Sequence, residues 1–213
     1  SRFAGFRSGS SLLGLAKAQG VRALIAVAAL LLSPCAQAVI LIGTGDSTAN
    51  TTAPGGGLAG SGWDLQGTWG AYLGTPVAPN YFITAKHVGG SIGGTFSFGG
   101  TSYTTLAKFD SPDSDLTLWK VGGTFSSYAP LYTDFDEVGR GMVIFGRGTQ
   151  RGAEVTVSSQ LKGWEWGTAD HVLRWGQNTV ASVEDGGPSL GYMLTASFDY
   201  SVGGNESILS VGD

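Results

Sequence analysis

The stretch Tyr81-Phe82-Ile83-Thr84-Ala85-Lys86-His87-Val88-Gly89-Gly90 sets the expectations for the rest of the chain. Strand-forming residues run into Lys86 and His87 and then into a glycine turn, which predicts a buried strand that ends at the histidine. An imidazole at such a strand end stands on a rigid scaffold and faces a loop, where it is suited to act as a general base. From these residues alone, the alternative is a solvated histidine at a strand end.

A second polar turn precedes the apolar run Leu116–Val121, and Asp115 stands at the junction. A carboxylate at this point is suited to accept a hydrogen bond from an imidazole Nδ1–H, which fixes the tautomer and stabilises the imidazolium. Two alternatives stay open. Acidic turns that cap strands are common. Asp110, Asp113 and Asp115 also suggest a calcium loop, although the glycine and distal glutamate of an EF-hand loop are missing.

The composition predicts an all-β fold. Of 213 residues, 36 are glycine and only 13% are charged, which excludes a charge-rich disordered chain and disfavours a helix bundle. Short runs rich in β-branched and aromatic residues are separated by turn residues, a pattern typical of a barrel or sandwich. The predicted strands are Val39–Ile42, Trp69–Leu73, Tyr81–Ala85, Thr95–Phe98, Tyr103–Lys108, Leu116–Val121, Met142–Phe145, Glu154–Ser158, Val172–Trp175, Val180–Val183, Tyr192–Tyr200 and Ser207–Val211.

Residues 1–38 are interpreted as a secretory signal peptide. They contain four basic residues and no acidic residue, then the apolar run Ala23 to Leu32, a Ser-Pro break and the small-residue site Ala36-Gln37-Ala38. The run is too short to span a bilayer as an ordinary helix, so no membrane span is expected. Cleavage is expected after Ala38. The alternatives are an amphipathic anchor, a core helix, or a lipid anchor on Cys35, which the preceding Pro34 disfavours.

The remaining segment, residues 39–213, is acidic. It holds eight basic and sixteen acidic residues, a net charge of about −8, which argues against nucleic acid as a partner. Cys35 is the only cysteine and is expected to leave with the signal peptide, so neither a disulfide nor a thiolate metal site is predicted. No cofactor and no metal are expected. The two histidines are His87 and His171, and the second is interpreted as a turn residue before a strand.

Four ordered segments carry a family resemblance. Phe82-Ile83-Thr84-Ala85-Lys86-His87 resembles the histidine motif of chymotrypsin/trypsin-like serine proteases, and Asp115-Leu116-Thr117-Leu118 resembles their aspartate motif, in the same order. Residues 69–74 are similar to the strand before the histidine motif, and residues 143–149 to the strand that opens the second barrel. The resemblance implies a double six-stranded β-barrel. The first barrel would cover about residues 39–135, and the second, truncated at its C-terminal end, about 136–213.

The family's nucleophile motif, Gly-Asp-Ser-Gly-Gly, is matched in part by Gly212-Asp213. The resemblance implies that the nucleophilic serine follows directly after Asp213, so the chain is interpreted as an inactive fragment that stops before it. The backbone N–H of Gly212 would then contribute to the oxyanion hole. Two other serines are interpreted as turn residues. Ser47 follows Gly45-Asp46 but precedes the histidine, and Ser189 follows a proline-containing turn.

Two further roles are implied by the same resemblance. In the family, the aspartate before the serine pairs with the freed N-terminal amine, which makes Asp213 the candidate partner for a new terminus at Val39-Ile40. The base of the primary specificity pocket falls near Ile208, which argues against a preference for lysine or arginine. Two departures from the family pattern are Val88, where a cysteine is frequent, and Lys86, where a small residue is usual.

The expected function is that of a serine endopeptidase that is secreted, periplasmic or on the cell surface, with a polypeptide as substrate and a monomer as the expected state. His87 would be the general base and Asp115 its orienting partner. One alternative is an exported β-rich binding or surface protein, including a protease-like domain without activity. Another is a secreted esterase, although the usual Gly-x-Ser-x-Gly signature is absent.

Overall fold

The structure is a computed structural model that describes residues 39–198 and the backbone of residues 207–208. The predicted signal peptide, residues 1–38, lies outside the described residues, and so do Gly212 and Asp213. No helix in the described part of the chain is long and apolar enough to cross a membrane.

The described residues form an all-β fold, as the composition predicted. Helical structure within them is limited to 3-10 turns at Gly56–Leu58, Trp63–Leu65 and Lys86–Val88. The strands are β1 (Ile40–Leu41), β2 (Gly67–Trp69), β3 (Tyr72–Ala78), β4 (Tyr81–Ala85), β5 (Thr95–Phe98), β6 (Thr101–Asp110), β7 (Leu116–Val121), β8 (Gly141–Val157), β9 (Gln160–Thr179), β10 (Ser182–Asp185), β11 (Tyr192–Thr195) and β12 (Ser207–Ile208).

Six of these strands close into an antiparallel barrel in the order β2-β3-β4-β7-β6-β5. Strand β4 lies between its sequence neighbour β3 and the more distant β7. In the β4–β7 pair, Phe82 is opposite Trp119 and Ala85 is opposite Leu116. Closure leaves the barrel itself without a free sheet edge.

Aromatic side chains fill the barrel. Alternate residues of β4, β5 and β7 point inward, as the period of two predicts. The rings of Phe82 and Phe96 stack with centroids 3.8 Å apart, and neither side chain is exposed. Room for them comes from Gly67 and Gly74, which are paired across β2 and β3. A Cβ at Gly67 would lie 2.2 Å from the Phe96 ring, so a larger residue would displace the core.

The predicted single strand Trp69–Leu73 is wrong in one respect. The chain turns at Gly70-Ala71, where Gly70 has φ of 58°, so that β2 and β3 form a hairpin with Trp69 opposite Tyr72. In the sequence, the strand patterns of β2 and β3 merge into one apolar run across the two-residue turn, so the turn was not predicted. The predicted strands Met142–Phe145 and Glu154–Ser158 lie instead in one long strand, β8, except for Ser158, which follows it.

The second half of the chain is built from hairpins. Strands β8 and β9 form a long two-stranded ribbon, β10 pairs with β11, and β1 pairs with β12. The sheets formed by the described residues do not close a second barrel. In the β1–β12 pair, Ile40 lies opposite Ile208 and Leu41 opposite Ser207. Because the pair is antiparallel, the N-terminal end of β1 lies beside the C-terminal end of β12.

Two arginines of the ribbon bind the segment that begins at residue 39. Arg151 donates to the Ile42 carbonyl at 3.2 Å and stacks on the Trp164 ring. Arg174, whose side chain is only 6% exposed, donates to the Ser47 carbonyl at 2.5 Å and forms two bonds with Asp170, at 2.7 and 3.0 Å. The Arg174 guanidinium, assisted by the Val172 amide, holds the pKa of Asp170 well below its usual range.

The barrel core yields a stability prediction. Truncation of Phe82 to alanine should lower the free energy of unfolding by about 3–5 kcal/mol, because the ring is fully buried and stacked on Phe96. The matched control is Phe135→Ala, since the Phe135 ring is 89% exposed and should contribute less than about 0.5 kcal/mol. Urea unfolding of both variants measures the difference. Equal losses would contradict a core centred on Phe82.

The Asp170–Arg174 pair yields a pH prediction. Because the pKa of Asp170 is lower in the folded state than in the unfolded state, its stabilisation is complete above about pH 4 and is lost as the pH falls below that. Asp170→Asn should therefore reduce stability at pH 7 and flatten the decline in acid. The exposed Asp134→Asn is the control and should follow the wild-type curve. Urea unfolding from pH 7 to pH 3 measures both, and a wild-type acid decline in Asp170→Asn would refute the assignment.

Candidate active site

His87 is positioned by the end of β4. The strand finishes at Ala85, and Lys86–Val88 form one 3-10 turn before the glycines Gly89 and Gly90. Thr84 on the same strand is buried and accepts a hydrogen bond from the Trp119 indole at 3.0 Å. The base of the histidine turn is therefore fixed to the core of the barrel.

Asp115 is brought to the histidine by strand register. Because Ala85 lies opposite Leu116, the residue after the end of β4 meets the residue before the start of β7. The Lys86 backbone amide continues the pairing by donating to the Asp115 carbonyl at 2.9 Å. Residues 28 positions apart in the sequence thus become neighbours at one end of the barrel.

The two side chains form a close pair. The Asp115 carboxylate spans the histidine, with Oδ2 at 2.5 Å from His87 Nδ1 and Oδ1 accepting from the His87 backbone N–H at 2.9 Å. The side chains are 38% and 23% exposed for His87 and Asp115, respectively, so the pair opens to the surface. A carboxylate bound at Nδ1 keeps the proton on that nitrogen and directs Nε2 to act as the base.

Trp69 packs against the turn that carries His87. Its indole N–H donates to the Gly89 carbonyl at 2.9 Å, and its ring packs against Trp119 with centroids 4.9 Å apart. Gly90 has φ of 122°, and a Cβ there would lie 2.2 Å from the Trp69 ring. Glycine is required at position 90 both by the backbone conformation and by this contact.

The loop between β10 and β11 packs against the loop that carries Asp115. The Asp115 amide faces the Leu190 carbonyl at 3.4 Å, and Gly191 packs closely on Ser114. A cavity of about 350 Å³ lies between the two loops and is lined by Asp113, Ser114, Asp185, Gly187, Pro188, Gly191 and Tyr192. The sequence did not predict this contact, because no local pattern joins residues 113–115 to residues 185–192.

The other predicted residues are less completely described. The backbone of Ile208 pairs with Ile40, whereas its side chain lies outside the described residues, as do Gly212 and Asp213. Ser47 and Ser189 both lie in turns, which agrees with their interpretation. His171 lies within β9 and not before a strand. It has φ of 53° at a bulge where β9 has extra residues relative to β8.

The calcium-loop alternative finds no support in the described part of the chain, where no group of three acidic, histidine or cysteine residues could hold a metal ion. Asp110 accepts from the Thr117 hydroxyl at 2.6 Å and pairs with Lys108 at 3.0 Å. The Thr117 hydroxyl, followed by Lys108, lowers the pKa of Asp110. The Asp110 carboxylate is thus bound by side chains of β6 and β7.

No protein-family model matches the chain, and no curated protein matches it. What the site does must therefore be inferred from its own geometry.

The glycine turn yields a prediction. Gly90→Ala should destabilise the protein more than Gly93→Ala, because both glycines have positive φ but only Gly90 lies against Trp69. We expect a loss of about 1–2 kcal/mol for Gly93→Ala from backbone strain and about 1–3 kcal/mol more for Gly90→Ala from the clash. Urea unfolding followed by tryptophan fluorescence measures both losses. Equal losses would mean that Trp69 does not constrain the turn.

Proposed function

We propose that this protein is a secreted serine endopeptidase of the chymotrypsin/trypsin type. The observation that carries the proposal is the contact between His87 Nδ1 and Asp115 Oδ2 at the rim of a closed six-stranded barrel. A histidine at the end of one strand, oriented by a carboxylate at the start of its neighbour, is the arrangement that activates a hydroxyl nucleophile.

In the proposed mechanism, a serine directly after Asp213 attacks the peptide carbonyl. The His87 imidazole takes the hydroxyl proton and later donates it to the leaving amine, while Asp115 holds the ring and stabilises the imidazolium. The backbone N–H of Gly212, with that of the serine, stabilises the oxyanion. Because the acyl intermediate is then hydrolysed by water, the cycle needs no cofactor.

The remaining assignments belong to the same proposal. Residues 136–213 contribute the second barrel, Ile208 lies at the base of the specificity pocket, and Asp213 pairs with the amine of a terminus at Val39. The β1–β12 pairing supports the last assignment, because the N-terminal end of β1 lies beside the C-terminal end of β12. The substrate is a polypeptide, the protein acts as a monomer, and the signal-peptide pattern of residues 1–38 supports secretion.

The first test is the residue encoded after Asp213. Serine followed by two glycines supports the proposal, and any residue without a nucleophilic side chain rejects catalysis. The alternative, an exported β-rich binding protein that keeps the barrel without activity, then becomes the better description.

The second test is activity in the protein that carries this serine. His87→Ala and Asp115→Asn should each lower kcat by about 10⁴-fold on a peptide substrate, because the first removes the base and the second leaves the imidazole in the wrong tautomer. His171→Asn is the matched control, since it removes the other histidine at a position where φ is 53°, which asparagine tolerates. A peptidase that keeps its rate in Asp115→Asn does not use this pair.

A further inference from the structure

We propose that Lys86 is a positioning residue that holds Asp115 against His87, an inference that rests on the proposed function of this pair. Lys86 immediately precedes the histidine and lies in the same 3-10 turn. It also contacts both ends of the loop that carries the aspartate. A single residue therefore connects the two halves of the candidate dyad.

The contacts come from different parts of the lysine. Its backbone N–H donates to the Asp115 carbonyl at 2.9 Å, at the end of the loop next to β7. Its side-chain Nζ donates to the Ser111 carbonyl at 3.0 Å, at the end of the loop next to β6. The loop is closed between these points by the Ser111 amide, which donates to the Leu116 carbonyl at 2.9 Å.

The loop lies beyond the paired residues of β6 and β7, and the backbone bonds of Ser111 and Asp115 hold only its two ends. Strand β6 ends at Asp110 and β7 begins at Leu116, so residues 111–115 are outside the barrel ladder. Asp115 must nevertheless keep its carboxylate on His87, where both oxygens are used. A loop that moved relative to the histidine turn would break both bonds at once.

The charge of the lysine strengthens its hydrogen bond to the Ser111 carbonyl. A donor that carries a full charge makes a shorter and stronger hydrogen bond to a carbonyl than a neutral donor does. The contact to Ser111 is partly buried, which reduces its screening by water. A long cationic side chain therefore ties the loop more firmly than the small residue usual at this position in the resembled family.

The test observes the histidine ring directly and needs no nucleophile. In the full chain labelled with ¹⁵N-histidine, the Nδ1–H of His87 should give a downfield proton signal that exchanges slowly with water, and His171 serves as the internal reference. Lys86→Met keeps the length of the side chain but removes the ammonium. We expect the signal to vanish or to exchange at least roughly tenfold faster, which corresponds to 1.4 kcal/mol at 25 °C. Lys86→Arg should restore it.

Lys108→Met is the matched control. Lys108 also pairs with an aspartate beside the same loop, Asp110 at 3.0 Å, but it belongs to β6 and makes no bond to the Ser111 carbonyl. Its removal deletes the same charge from the same neighbourhood and should leave the His87 signal unchanged. If Lys86→Met does not fold, Lys86→Gln takes its place, and a weakened signal is again expected.

Three results would overturn the proposal: a wild-type signal in Lys86→Met, an equal loss in Lys108→Met, or no recovery in Lys86→Arg. In the protein that carries the serine, Lys86→Met should lower kcat roughly tenfold, with KM little changed, since the lysine acts on the dyad and not on the substrate. A wild-type protein without peptidase activity would reject the proposed function, while the ring signal would still decide the role of Lys86.

Discussion

The antiparallel pairing of β4 with β7 is the interaction on which the candidate site depends. Five consecutive residue pairs join the strands, and the fully buried Phe82 and Trp119 form the second of these pairs. A slip of one residue by either strand would turn the ring of that strand outward, so the hydrophobic core fixes the register. The register in turn decides that His87 and Asp115 leave the barrel side by side. The geometry of the pair is therefore a consequence of aromatic packing several residues away.

Small residues make this packing possible. Gly67 and Gly74 leave space for Phe96 and Phe82, and Gly90 lets the histidine turn rest on Trp69. Glycine thus has a use besides turn formation. At these positions aromatic rings approach the backbone more closely than a Cβ atom would permit. Residues 39–213 contain no cysteine, so this core holds the barrel without a disulfide.

The site lies where the barrel meets the hairpins of the second half. The Asp115 amide faces the Leu190 carbonyl of the β10–β11 loop, and Lys86 ties the aspartate loop to the histidine turn. On the ribbon, Arg151 and the buried Arg174 bind the carbonyls of residues 41, 42 and 47, so two cationic side chains hold the start of the described chain. The barrel sets the spacing of the dyad, and these polar contacts hold the loops around it.

The sequence by itself determined the all-β class and the limits of β4, β5 and β7. These features are local, because alternation and turn residues are visible within ten positions. The local pattern left the role of His87 open, and only the resemblance to the protease motifs joined it to Asp115. The hairpin at Gly70-Ala71, the length of the β8–β9 ribbon, and the contacts of Lys86 and Leu190 were decided only by the tertiary structure. The contacts of Lys86 and Leu190 join residues that are distant in the sequence, so no local pattern encodes them. The hairpin was hidden because the patterns of β2 and β3 merge into one apolar run, and the length of the ribbon was hidden because the β8–β9 pairing continues through bulges.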